Sequence, residues 1–158
     1  MRRKRILLIG ARGAGKSALA GWLEGTDRPR RSTPVMVYTE RTIEAPGAYL
    51  ECPWMHCHLI ASAQDASLVL MLADASQPRA KRVYPPGFAQ VFGPPVIGVV
   101  TKTDRDHGRA MECEEQLRQA GVRQVCHVSL YDETSLRALE QLLASVGAGE
   151  KTGRKGGS

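Results

Sequence analysis

Residues 10 to 17 read Gly-Ala-Arg-Gly-Ala-Gly-Lys-Ser, a G-x-x-x-x-G-K-S spacing suited to wrapping backbone around a phosphate. The chain must leave a strand, curl about an anion and enter a helix within this short stretch. Gly10 permits the sharp exit and Gly15 the convergence of N–H groups, because neither carries a Cβ that would hold the backbone off. Ala11, Arg12, Gly13 and Ala14 belong to the same cradle. Ala18 lies in the first turn of the following helix, whose unpaired N–H groups and positive dipole end face the anion. Lys16 is placed to reach the β- and γ-phosphates, and the Ser17 hydroxyl to ligate Mg²⁺. Lys16 is therefore the first candidate catalytic residue. Arg12 is the second, a cation that can lean over the γ-phosphate or point to solvent, as side chains at that point of such loops usually do.

A phosphate loop alone serves kinases, ATPases and GTPases. Thr101-Lys102-Thr103-Asp104 follows the apolar run Val96–Val100. A carboxylate at the end of that run can accept hydrogen bonds from the N1–H and 2-amino groups of guanine. Adenine offers neither donor in that arrangement. Lys102 would lay its stem along the base and tie back to the phosphate loop. The stretch resembles the [N/T]KxD guanine motif of GTPases, with Thr101, Lys102 and Asp104 in its places. Ser129, after Val125–Val128, resembles the last base-contacting loop.

Glu44-Ala45-Pro46-Gly47 sits where a GTPase carries D-x-x-G. Glu44 would then support the Mg²⁺ shell, its extra methylene absorbed through a bridging water. The Gly47 N–H would meet the γ-phosphate. Thr33 matches the switch threonine that closes on Mg²⁺ and γ-phosphate. The positions after Gly47 hold Ala48 and Tyr49, not the Gln that orients the attacking water in regulated GTPases. Slow turnover is expected, with a partner, a dimer or a monovalent cation completing the charge shell.

The elements that must position these residues are legible as apolar runs at Ile6–Ile9, Val35–Tyr38, Leu68–Leu72, Val96–Val100 and Val125–Val128. Helix-like segments separate them near 16–25, 54–64, 86–92, 109–119 and 132–146. Strict alternation of this kind predicts an α/β fold with a mainly parallel sheet and helices on both faces. Val35 to Glu44 is the exception: two short extended pieces around Thr39-Glu40-Arg41, close enough only for a hairpin, which gives one antiparallel edge strand. The expectation is a Ras-like P-loop NTPase built on a six-stranded sheet. Residues 1–146 form the single domain, and the basic, Gly-rich 147–158 a disordered tail.

The chain has 158 residues and a net charge of +6. Seven of its 22 basic residues and one of its 16 acidic ones lie in 1–5 and 150–158, so the span between balances at fifteen of each sign. The basicity belongs to the ends, which argues against a folded nucleic-acid surface. No apolar run approaches a membrane helix and none reads as a signal segment, so a cytoplasmic protein is expected. The four cysteines form no C-x-x-C pair and read as reduced thiols. Cys52, His56, Cys57 and His58 are close in sequence and read as a loop and helix start in preference to a metal site.

With these stations in place, residues 4 to 146 resemble the EutP/PduV family of ethanolamine and propanediol utilisation. The features shared are the G-x-x-G-A-G-K-[S/T] loop, the x-x-P-G-x-Y stretch at Glu44–Tyr49, the aromatic–His segment Pro53-Trp54-Met55-His56, and the [S/T]-K-T-D motif. The resemblance implies a Ras-like fold, guanine nucleotide with Mg²⁺ as cofactor (ATP being open), and a role beside bacterial microcompartments, whose shell or enzyme proteins would be partners. It implies either a GTPase or an ATP-dependent acetate kinase. Glu44 in place of Asp, and the basic ends, depart from its pattern.

Overall fold

The computed structural model describes residues 5–11, 14–25, 35–75, 84–103 and 107–156, the last ten by backbone alone. Arg12, Gly13, Thr33 and Asp104, named above, lie outside the described residues. Six strands form one sheet: β1 (Arg5–Ile9), β2 (Val37–Tyr38), β3 (Thr42–Glu44), β4 (Ala66–Asp74), β5 (Val96–Thr101) and β6 (Gln124–Val128), in the order β2-β3-β1-β4-β5-β6. β3, β1, β4, β5 and β6 run parallel, and β2 pairs antiparallel with β3 across the hairpin.

Alternation of period two along each strand sorts the core into two layers. Leu7, Ile9, Val69, Met71 and Val100 face one side, packed with Leu59 and Ala63 of α3 (His56–Ala63) and Ala110 and Leu117 of α4 (His107–Gln119). Leu8, Leu68, Leu70, Leu72, Ile97 and Val99 face the other, packed with Leu19 and Ala20 of α1 (Lys16–Glu24) and Leu136 and Leu139 of α5 (Glu133–Gly156). Helices thus cover both faces. The chain winds outward from β1 in both directions, so the C-terminal end of β1 is the switch point, where open parallel sheets leave a crevice.

Three elements differ from the sequence reading. The segment near 86–92 is a 3₁₀ turn, Phe88–Val91, because Pro85-Pro86 and Gly93-Pro94-Pro95 bracket it and Gly87 enters it at φ 73°. The helix expected at 54–64 opens as a 3₁₀ turn at Pro53–Met55 before α3. A five-residue helix, α2 (Gly47–Glu51), falls outside the helix-like segments expected, with Pro46 as its cap and Gly47 buried.

The backbone of α5 is helical through Gly156. Val146 is the last described side chain of α5 that packs against the core. Continuation beyond that point needs only backbone hydrogen bonds, and Ala148, Glu150 and Lys151 favour them. Deleting 147–158 is therefore expected to leave nucleotide affinity, measured by calorimetry, within about twofold of the full chain. A tenfold loss would show that this segment reaches the site.

Candidate nucleotide-binding site

β1 ends against the loop that enters α1. Gly10 is packed so closely that an added Cβ would lie 3.1 Å from Leu72 Cβ and 3.3 Å from Ala14 Cβ. Gly15 caps α1 at φ 93°, in the left-handed region that only glycine adopts without strain. The Lys16 side chain folds back under the loop. Its Nζ donates to the carbonyls of Gly10 (2.7 Å) and Ala11 (2.9 Å), and only 7% of the residue is exposed. Ala14 is buried, Ser17 half-buried and Ala18 exposed.

The Ser17 hydroxyl donates to Glu44 Oε1 at 2.5 Å. These two oxygens, 27 residues apart in sequence, meet because β3 lies beside β1 and ends level with the loop. Glu24 helps hold β3 there. From the end of α1 its carboxylate accepts the Arg41 N–H (2.9 Å) and the hydroxyls of Thr42 (3.2 Å) and Thr39, clasping the β2–β3 hairpin. A hydroxyl and a carboxylate converging on one point are the hard oxygen donors that Mg²⁺ prefers, so the residues present fit that ion. Gly47, three residues on, opens α2.

On the other side of the loop, the end of β5 is tied to it. Thr101 is 7% exposed and its Oγ1 donates to the Ala14 carbonyl at 2.8 Å and lies 3.3 Å from that of Ala73. Lys102 adopts φ 58°, a conformation that costs a non-glycine residue roughly 1–2 kcal/mol. Its Nζ pairs with Asp74 Oδ2 at 3.0 Å, with the Asp74 side chain 3% exposed. Asp74, at the end of β4, was missed in the sequence; its signal is a lone carboxylate closing an otherwise apolar strand at the ligand edge of the sheet. Tyr84 was missed as well. Its phenol donates to the carbonyls of Leu72 (2.6 Å) and Ile9 (3.3 Å), pinning β4 to β1 beneath the loop. Burial pushes that phenol far above its ordinary pKa, so it stays a donor. Burial, then the charges of Asp74 and Glu112, raise the Cys113 thiol.

Ser129 follows β6 and is buried. Its hydroxyl accepts the Tyr131 N–H (3.2 Å), and its own N–H and carbonyl both bond Ser135 Oγ (3.0 Å each), which fixes the turn into α5. Between this turn, the end of β5 and α1 opens a cavity of about 130 Å³ lined by Gly15, Ala18, Leu19, Thr101, Lys102, Val128, Leu130 and Tyr131. Six of the residues singled out from the sequence for phosphate or metal (Gly10, Ala11, Ala14, Gly15, Lys16 and Ser17) thus form the described loop and helix start, and Ser17 meets Glu44. Thr101 and Lys102 line the cavity next door, and Ser129 lies in the turn between its lining residues Val128 and Leu130. Leu19, Leu130 and Tyr131 were not anticipated, because apolar side chains after a strand carry no chemical signature. His56 does not group with cysteine: its Nε2 donates to the Leu50 carbonyl (2.7 Å) and its ring meets Phe88 at 4.8 Å. Among the described residues no three His, Cys, Asp or Glu side chains gather into a metal cluster, and no helix is long and apolar enough to cross a membrane.

A parallel sheet with a glycine-rich loop at its switch point and a second crevice beyond β5 is the P-loop GTPase fold. Solved structures share it. A bacterial selenocysteine-specific elongation factor, EF-Sec, superposes with a TM-score of 0.65 at 20% identity, over 94% of this chain and 29% of that one. A probable GTP-binding protein, engB, does so at 0.59 and 15% identity, over 91% and 99%. Toc33 from Arabidopsis thaliana, in complex with GDP and Mg²⁺, gives 0.53 at 16% identity, over 82% and 71%.

Within that class the chain belongs to the PduV-EutP family of ethanolamine and propanediol utilisation, which it matches over residues 3–145. It is 34% identical over 134 residues to the propanediol utilization protein PduV of Citrobacter freundii, covering 84% of this chain and 88% of that protein. It is 28% identical over 156 residues to the probable acetate kinase EutP of Escherichia coli K12, covering 96% of each.

Proposed function

We propose that this chain binds guanine nucleotide with Mg²⁺ and hydrolyses it slowly, as a switch serving ethanolamine or propanediol utilisation in the cytoplasm beside bacterial microcompartments. The observation that carries the reading is the Thr101–Ala14 hydrogen bond, which joins the phosphate loop to a cavity at the ends of β5 and β6. A nucleotide spans such a pair of sites, phosphates on Gly10–Ala18 and base beside Thr101, Lys102 and Ser129. Asp104 then accepts the guanine donors, and Thr33 and Gly47 close on the γ-phosphate.

Lys16 and the loop N–H groups balance the charge of the phosphates, and Ser17 with Glu44 would hold Mg²⁺. Mg²⁺ bound there supplies a further positive charge against the phosphate oxygens. Where regulated GTPases place the water-orienting Gln, this chain has Ala48 and Tyr49. Ala48 and Tyr49 lie in α2, and the Tyr49 ring packs 5.8 Å from that of His58. Turnover by the isolated protein is therefore expected at about 10⁻³ s⁻¹ or below. Single-turnover rates of about 1 s⁻¹ would overturn this and make Arg12→Ala the deciding variant. Acceleration on adding a shell protein, or on dimerisation, would identify the missing component.

The names of the EutP relatives favour a second reading, transfer of the γ-phosphate of ATP to acetate, giving acetyl phosphate and ADP. Calorimetry with GTP, ATP and their diphosphates, with Mg²⁺ present, separates the two. Tighter GTP binding supports the switch. Tighter ATP binding, with acetyl phosphate formed from ATP and acetate, supports the phosphotransferase.

A further inference from the structure

Glu24 stands at the end of α1 that disfavours a carboxylate. A helix C-terminus carries partial negative charge, so an acid in the last turn costs the helix up to about 1 kcal/mol. Gly25, at φ 73°, closes α1 directly after it. The charge does not serve α1. Its partners lie on the neighbouring sheet edge, where a single oxygen, Oε1, accepts the Arg41 N–H and the hydroxyls of Thr39 and Thr42, three donors of the β2–β3 hairpin. β3 has only three residues, paired with β1 from Ile6 and Thr42 to Leu8 and Glu44. So short a ladder does little to resist sliding, and a slip of one residue would carry Glu44 about 3.3 Å along β1. α1 and β3 are thus joined at both ends: Ser17 to Glu44 beside the phosphate loop, and Glu24 to Thr42 at the far end.

From this double attachment we infer that Glu24 is a positioning residue for the metal. By fixing the register of β3 on β1 it places the Glu44 carboxylate at the Ser17 hydroxyl, and so sets the affinity for Mg²⁺. The proposal rests on the reading of Ser17 and Glu44 as the Mg²⁺ site and adds a residue remote from that site. The glycine-rich loop leaves from β1 and not from β3, so phosphate binding without metal is indifferent to Glu24.

The test is calorimetric titration of the full chain with the non-hydrolysable analogue GppNHp, in Mg²⁺ and separately in EDTA, for the native protein, Glu24→Ala and Glu24→Gln. Glu24→Ala is expected to weaken binding about tenfold or more in Mg²⁺ and by no more than about twofold in EDTA. Binding retained in EDTA also shows that the variant is folded. Glu24→Gln keeps an acceptor oxygen for the same three donors and is expected to stay within about threefold of native under both conditions. Affinity in Mg²⁺ unchanged in Glu24→Ala would overturn the positioning role. So would equal losses in Mg²⁺ and EDTA, which would mean that Glu24 only stabilises the fold. A loss in Glu24→Gln as large as in Glu24→Ala would remove the shared acceptor as the cause, and the proposal with it. Native protein that binds GppNHp equally in Mg²⁺ and EDTA would instead defeat the reading of Ser17 and Glu44 as the metal site.

Discussion

Replacing Lys16 with alanine is expected to abolish measurable binding of nucleoside triphosphate while leaving the fold intact. The ammonium is nearly buried and donates to the Gly10 and Ala11 carbonyls, under the loop that would receive the phosphates. Charge-assisted hydrogen bonds contribute about 1.5–3 kcal/mol each, and more than one is lost with the phosphates, so a drop of roughly a hundredfold or more follows. A second effect adds to the first. Without the ammonium, two carbonyl dipoles are left facing a site that must accept an anion. The core is untouched, because the strand and helix residues around the loop, Leu7 to Ile9 and Leu19 and Ala20, pack through other side chains. Circular dichroism is expected to match the native protein, and native triphosphate affinity in a folded variant would remove the phosphate-loop assignment.

Asp104→Asn is expected to relax or invert the choice of base. The native protein is expected to prefer GTP to ATP by at least about tenfold, since a carboxylate acceptor facing adenine is left poorly paired. An amide at that position presents donors where guanine also presents donors, so the preference falls. Xanthine nucleotides, which carry a carbonyl in place of the 2-amino group, are expected to gain in the variant what guanine nucleotides lose. Competition measurements with GDP, ADP and xanthosine diphosphate read all three. Equal or tighter ATP binding by the native protein would place the phosphotransferase reading first.

The two predictions probe parts of the site that sequence revealed to different degrees. The phosphate loop was readable because its chemistry is local: glycines, lysine and hydroxyl fall within eight successive positions, and the backbone they permit is the cradle itself. The guanine stretch was readable as residue types, but not its supports. Thr101 and Lys102 are each held by a partner on another element, Ala14 and Asp74, and no spacing within Thr101–Asp104 indicates either. Glu44 shows the same division. Its place after the hairpin marked it as the acid of the switch region. That its carboxylate meets the Ser17 hydroxyl depended on how closely β3 approaches the loop.

By itself the sequence determined the periodic parts of this protein. Apolar runs of strand length alternating with helical stretches fix a mainly parallel sheet covered on both faces, since each strand must bury both sides. The hairpin at Thr39–Arg41 follows from a connection too short for a crossover. Tertiary structure decided what stands at the strand ends. Placing β4 between β1 and β5 brings Asp74 to Lys102, 28 residues away, Tyr84 to Ile9, 75 away, and Thr101 to Ala14, 87 away. It also brings Tyr131 and Lys102 to the lining of one cavity. None of these pairs is written in local spacing. A parallel sheet gathers its C-terminal ends from distant parts of the chain, and strand order alone determines which ends become neighbours.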